Sequence, residues 1–269
     1  MKDCVPLREA LDEKLYGGKC ASLARALQAG LPAPDGYALS VALVARIANS
    51  STADFPQITA LFADLAPALA VRSSAVGEDS NDASFAGQHL SVLNVMRADA
   101  MLDAIRSVHA SAHTPAALAY RARMRVPGEP VIAVVLQRQI SSEVAGVMFT
   151  RNPINSVAER YIEASWGLGE AIVAGLVVPD SFRIAVDGSV LQRTAGEKDL
   201  MLLTDPTGVV IEVAVATEQI SALCLNDQQL GQLHLLASNC QQVYGTDIDI
   251  EWAFHQQQLY LLQCRGITR

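Results

Sequence analysis

The sequence of 269 residues has little excess positive charge: 20 Lys and Arg stand against 28 Asp and Glu, a net charge of -8. That balance argues against a nonspecific nucleic-acid or anionic-membrane surface, while leaving room for a local basic pocket. No apolar run approaches the roughly 18 uncharged residues of a membrane span. The opening MKDCVPLREALDEK is charged throughout and does not read as a secretory signal. Cys4, Cys20, Cys224, Cys240 and Cys264 form no CxxC pair, so the usual zinc spacing is missing, and their scatter fits reduced cytoplasmic thiols. Repeats and low-complexity linkers are absent too. What is present is a 51% hydrophobic composition with 18% charged residues, enough to bury a sizeable core in one large domain or two small ones.

The element pattern mixes helices and strands. GGKCASLARALQAGLPAPDGYALS reads as a glycine turn, a helix with Leu23, Ala26 and Leu27 on one face, and a stop at Gly30. VALVARIANS and ITALFADLAPALA are helical patches. AVRSSAV is a short strand running into the polar loop GEDSNDASFAGQH. RADAMLDAIRSVHASAHTPAALAYRARM is helical with a break or turn at Pro115, and VIAVVLQRQI is a buried strand. VAGVMFTRNP and YIEASWGLG are strands that end in loops. SFRIAVDGSVLQR is a hairpin turning at Asp187-Gly188. QQLGQLHLLASNCQQVYG is an amphipathic helix, and DIDIEWAFH and QLYLLQCR close the chain as strands. The class is α+β in two lobes, residues 1–125 and 126–269.

Three places carry chemistry. Lys19 follows two glycines at a helix start, where backbone amides and the helix terminus favour an anion. The GxxxxGK[ST] spacing of a Walker A loop is absent, and a solvated lysine beside a turn would look the same. Arg72 ends an apolar strand, where a guanidinium needs an anionic partner; a salt bridge or a phosphate would serve. In DIDIEWAFH, period two puts Asp247, Asp249 and Glu251 on one face, opposite Ile248, Ile250 and Trp252. If QLYLLQCR returns as a hairpin, Gln263 and Arg265 come beside Asp249 and Glu251. Carboxylate and amide oxygens suit Mg²⁺, and a guanidinium suits phosphate, although a solvated acidic face closed by a salt bridge has the same pattern. His109 and His113, four apart on a helix, show no third metal ligand.

Five ordered blocks carry a family resemblance: GGKCASLARALQAGLPAPDGYALS, VRSSAVGEDSNDASFAGQHLSVLNV, VVLQRQISSEVAGVMFTRNP, EASWGLGEAIVAGLVVPDSF and IDIEWAFHQQQLYLLQCRGIT. Together they resemble the N-terminal ATP-binding domain of the phosphoenolpyruvate synthase, pyruvate phosphate dikinase and rifampin phosphotransferase family. The resemblance implies an ATP-grasp fold, two α+β lobes with the nucleotide in the cleft between them. It implies ATP phosphates at Lys19, Arg72 and Arg265, and a phosphate-covering loop at Ser84, Gly87 and Gln88. It also implies an adenine-facing strand backbone at Gln137 and Arg138, and Mg²⁺ near Asp249, Glu251 and Gln263. Trp166–Glu170 matches as well, without an evident role.

The implied chemistry splits ATP into AMP and two phosphoryl units, one of which passes to a histidine of a mobile carrier. Two departures stand out. Cys20 replaces a usual glycine, and the stretch from Gly36 to Arg72 is short. The glycine-rich Ser-His-Ala carrier domain and the acceptor domain have no counterpart in these residues, and none of the five histidines replaces the carrier. The expectation is therefore an ATP-binding subunit or domain that needs a separate carrier protein. A freestanding kinase or ligase acting directly on a metabolite, and a non-catalytic nucleotide-binding module, are the alternatives.

Overall fold

The computed structural model describes residues 2–49, 53–77, 90–124, 128–245 and 247–266. The chain forms two compact units. One runs to Gln28 and resumes over Pro34–Gln139; the other takes Ala29–Ala33 and the chain from Ile140 onward. The α+β class is observed, with antiparallel pairing in every sheet.

The first unit contains β1 (Cys4–Pro6), a short 3-10 turn, α1 (Glu13–Gln28), β2 (Gly36–Leu39), α2 (Val41–Ala48), α3 (Phe55–Leu65), β3 (Leu69–Ala75), β4 (Ser91–Val95), α4 (Ala98–Ser111), α5 (Pro115–Arg123) and β5 (Ile132–Arg138). The sheet order is β1-β2-β5-β3-β4. Local chemistry sets the helix starts. Ser40 caps α2 by accepting from the Leu43 N–H, and Thr114 caps α5 just before Pro115, whose missing N–H costs nothing at a first helical position. Leu69, Val71 and Ala75 of β3 face a core shared with Leu43, Val44 and Ile47 of α2, Ile58 of α3 and Ile105 and Val108 of α4. Strand alternation turns Ala70, Arg72 and Ser74 to the other face, beside α1.

The boundary lies later than 125/126, because β5 is the central strand of the first sheet. It pairs with β2 through Gly36↔Gln137 and with β3 through Ala70↔Gln137, so Gln137 and Arg138 belong to the first unit rather than the second.

The second unit contains β6 (Val144–Phe149), β7 (Arg160–Trp166), α6 (Glu170–Val173), β8 (Asp180–Ile184), β9 (Val190–Thr194), β10 (Leu200–Thr204), β11 (Val210–Ala214), α7 (Thr217–Ile220), α8 (Asp227–Tyr244), β12 (Ile248–His255) and β13 (Gln258–Gly266). Six strands run β13-β12-β6-β7-β8-β9, and β10 and β11 pair separately. Ile248, Ile250, Trp252, Met148, Ile162 and Phe182 are buried on one face of the large sheet. α8 packs against β12 and β13 and buries Leu230, Leu233, Leu236 and Ala237. Asn226 and Gln229 form a capping box at its start, and Gly245 ends it in the left-handed conformation. Asp180 and Lys198 form a fully buried ion pair; Asp180 also accepts from the N–H groups of Gly196 (2.8 Å) and Cys224 (2.7 Å), fastening the β9–β10 and α7–α8 loops to β8.

Candidate functional site

In the first unit, Gly17 makes the turn that was read before Lys19. Its φ of 77° and ψ of 167° interrupt α1, and helical geometry resumes with Lys19 in the new first turn. The φ is left-handed, and a Cβ at Gly17 would lie 2.0 Å from the Ser74 carbonyl oxygen, so only glycine allows this approach. The contact joins the two basic positions. The Cys20 N–H donates to Ser74 Oγ at 3.0 Å, which fixes the helix start against β3, two residues along from Arg72. Lys19 is 8% exposed and Arg72 half-buried.

Arg72 Nη1 donates to Gln137 Oε1 at 3.4 Å, and Gln137 Nε2 donates to the Pro34 carbonyl at 3.1 Å. Lys19, Arg72 and Gln137 therefore assemble on the α1 side of one sheet. Arg138 does something else. Its guanidinium donates to the carbonyls of Asp64 (2.7 Å) and Ala66 (2.9 Å) at the end of α3, and its N–H donates to the Asp35 carbonyl at 3.0 Å. A cation at a helix C-terminus is favourable in its own right. Ser84, Gly87 and Gln88 lie outside the described residues.

In the second unit, the register pairs Asp249 with Arg265 and Glu251 with Gln263. Two positive-φ residues, Gln256 (48°) and Gln257 (64°), make the tight turn that sets this register. Arg265 Nε donates to both Asp249 oxygens, at 2.7 and 2.9 Å. Asp249 is thus paired with Arg265, and the register places the Glu251 carboxylate opposite the Gln263 amide. A carboxylate and an amide oxygen are hard donors of the kind that would suit Mg²⁺. No group of three or more His, Cys, Asp or Glu that could hold a metal occurs among the described residues. Asp247 is drawn aside by Arg151, 2.5 Å away.

The sheet adds residues that the sequence reading passed over. β12 pairs Glu251 with Val147 of β6, and β6 pairs Val147 with Glu163 of β7, so Glu163 lies in the same row and on the same face as Glu251. Tyr161 donates to Glu163 at 3.3 Å, and burial, then Glu163, pushes its phenol above the ordinary value. Glu159, 1% exposed, accepts from Arg183 (2.7 and 2.9 Å) and Asn152 (2.6 Å). Arg183 holds its carboxyl below the ordinary range, with Asn152 assisting. The period-two alternation of RYIEASW was the available signal for Tyr161 and Glu163; pairing with β12 through β6 was not readable locally. His109 and His113 stack with ring centroids 4.8 Å apart.

Residues 46–269 match the family described as pyruvate phosphate dikinase, AMP/ATP-binding domain. The chain is 40% identical over 202 residues to a probable phosphoenolpyruvate synthase of Archaeoglobus fulgidus, covering 74% of this chain and 27% of that protein. It is 32% identical over 279 residues to the uncharacterized phosphotransferase YvkC of Bacillus subtilis, covering 95% of this chain and 34% of that protein. A probable phosphoenolpyruvate synthase of Methanothermobacter thermautotrophicus is 31% identical over 304 residues, covering 96% of this chain and 44% of that protein. The chain thus spans less than half the length of these curated relatives. No described helix is long and apolar enough to cross a membrane.

Proposed function

The chain belongs to the pyruvate phosphate dikinase AMP/ATP-binding domain family, and from that membership we propose that it works as the ATP-cleaving part of a dikinase-type phosphotransferase. It is a dikinase-type ATP-binding domain; the steps beyond nucleotide binding are the reading advanced here. ATP is split into AMP and two phosphoryl units. One forms a bond to a histidine nitrogen of a separate carrier domain or protein, and the other leaves as phosphate or is passed to phosphate.

The observation that carries this reading is the β12–β13 register, which sets Glu251 beside Gln263 and Asp249 beside Arg265. Phosphoryl transfer calls for positioned charge rather than a covalent protein group. Lys19 and Arg72 in the first unit and Arg265 in the second supply the cations. The resemblance gives Ser84, Gly87 and Gln88 a phosphate-binding role, whereas the backbone at Gln137 and Arg138, expected to meet the adenine, is paired with β2 and β3. Glu251 and Gln263, with Asp249 orienting Arg265, would hold Mg²⁺, which when bound neutralises charge on the phosphate oxygens.

The test is to incubate the chain with ATP and Mg²⁺, with and without a carrier-histidine protein of the phosphoenolpyruvate synthase type, and to resolve AMP from ADP. AMP formed only with the carrier supports the proposal. ADP formed from a metabolite without the carrier replaces it with a direct kinase, and nucleotide binding without either product replaces it with a regulatory module.

A further inference from the structure

A cavity of about 400 Å³ opens inside the second unit at the His255 end of β12. That end is four residues beyond Glu251, about 13 Å at the ordinary strand rise. The volume falls within the range of small-molecule sites, about 300–1,000 Å³.

The walls are built rather than incidental. Trp166 ends β7, Leu168 follows it in the next loop, and Met201 and Leu203 come from β10. The indole Nε1 of Trp166 donates to the Gln219 carbonyl at 3.2 Å, which holds the ring in place. Gly167, at φ 76°, lets this loop lie so close to β10 that a Cβ there would sit 2.4 Å from the Leu202 carbonyl oxygen; the Leu168 N–H donates to that same oxygen at 2.9 Å. The Trp166–Glu170 segment, which had no evident role in the sequence, thus begins as a wall of this cavity.

The polar lining comprises Ser141, Ser142, Thr204, Gln219 and His255, with Glu143 as its one carboxylate. Glu143 places a carboxylate at the exposed rim, where it accepts from the Gln256 N–H at 3.3 Å. His255 Nδ1 and Thr204 Oγ1 are buried without a hydrogen-bond partner among the described residues, and both residues belong to the cavity lining. The Ser142 hydroxyl is already donated to the Gly167 carbonyl at 2.9 Å, as the Trp166 N–H is to Gln219. Among the described residues no lysine or arginine lines the space.

We propose that this cavity is a second ligand site, one that takes an organic amine with a compact aromatic body. The apolar walls bury the body, the ammonium pairs with Glu143 over the indole face, and its N–H donors meet His255 and Thr204 after small side-chain rotations. Phosphates and carboxylates are disfavoured because the Glu143 carboxylate repels them and no lysine or arginine among the described lining residues offsets it. The inference does not depend on the nucleotide chemistry.

The test compares 2-phenylethylamine with 3-phenylpropionate, similar in shape and opposite in charge, by equilibrium dialysis against the whole chain, with tryptophan fluorescence as the locator. Trp252 is fully buried and serves as the constant reference. Saturable binding of the amine, at least about tenfold tighter than the acid, with an emission change lost in Trp166→Phe, is the expected result. Glu143→Gln should weaken the amine by about tenfold, the order expected of one partly screened charge pair. Leu203→Trp should fill the cavity and abolish binding with Glu143 intact. Equal binding of the acid, an unchanged affinity in Glu143→Gln with the fold retained, or no saturable amine binding would each overturn the proposal.

Discussion

Replacing Gly17 with alanine tests how Lys19 is held. Two costs arise. The backbone at Gly17 has φ 77°, where an L-residue loses about 1–2 kcal/mol. The new methyl would also stand 2.0 Å from the Ser74 carbonyl oxygen and 2.5 Å from Ser74 Oγ. Both atoms belong to a strand paired on both sides, so the helix must retreat by more than an ångström. Overpacking of that kind costs about 1–3 kcal/mol, and losing the Cys20 N–H bond to Ser74 adds about 1 kcal/mol. The sum is about 3–6 kcal/mol. Gly30 provides the control: its φ is 75°, yet nothing lies within 4 Å of its added Cβ, so Gly30→Ala should cost only the conformational part, about 1–2 kcal/mol. Urea unfolding followed by far-UV circular dichroism, with a separate step fitted for each unit where two resolve, gives both values. ATP affinity should fall in Gly17→Ala and hold in Gly30→Ala. If Gly17→Ala proves no more destabilising than Gly30→Ala, the close approach to Ser74 is not what shapes the turn.

Other outcomes follow from single contacts. Glu251→Gln and Arg265→Ala should each reduce AMP formation about 100-fold or more while the melting temperature moves little, since both side chains sit on a half-buried polar face; a collapse of the fold would show them to be structural. Lys198→Met leaves the Asp180 carboxylate buried without its cation and should cost about 3–5 kcal/mol by denaturant titration, whereas Lys198→Met with Asp180→Asn should recover part of that loss. Glu159 has a depressed carboxyl in the folded state because of Arg183, so the unfolded chain takes up its proton first as pH falls. Its stabilisation is therefore complete above the ordinary glutamate value of about 4.3 and is lost as pH falls through the folded value. The gap between wild type and Glu159→Gln should shrink in that window; a constant gap from about pH 7 to pH 3 would contradict the assignment.

Much of the architecture was legible because local rules agreed with one another. Pro115 after Thr114, the Asp187-Gly188 turn and Gly245 after a long amphipathic run each marked an element end by backbone chemistry alone. The β10–β11 hairpin went unread even though Asp205, Pro206 and Gly208 make an ordinary turn between two apolar runs. Its strands are short, and β11 is largely exposed, so no clear buried-face period marks the pair. The boundary at 125/126 fell short for a different reason: the chain changes from helix to strand there, and only pairing with β2 and β3 draws β5 back into the first sheet.

The candidate site divides along the same line. Alternation in DIDIEWAFH and QLYLLQCR was enough to place Asp249, Glu251, Gln263 and Arg265 on one face, because side-chain direction in a strand has period two and a two-residue turn fixes the register. The sequence by itself also determined the α+β class and the glycine-dependent turn before Lys19. Only the tertiary structure decided that Arg265 pairs with Asp249, that Arg138 is spent on the end of α3, and that Glu163 joins the row of Glu251. Each of those depends on which strands become neighbours, and neighbours separated by tens of residues are chosen by how the whole sheet buries its apolar face, not by any local signal.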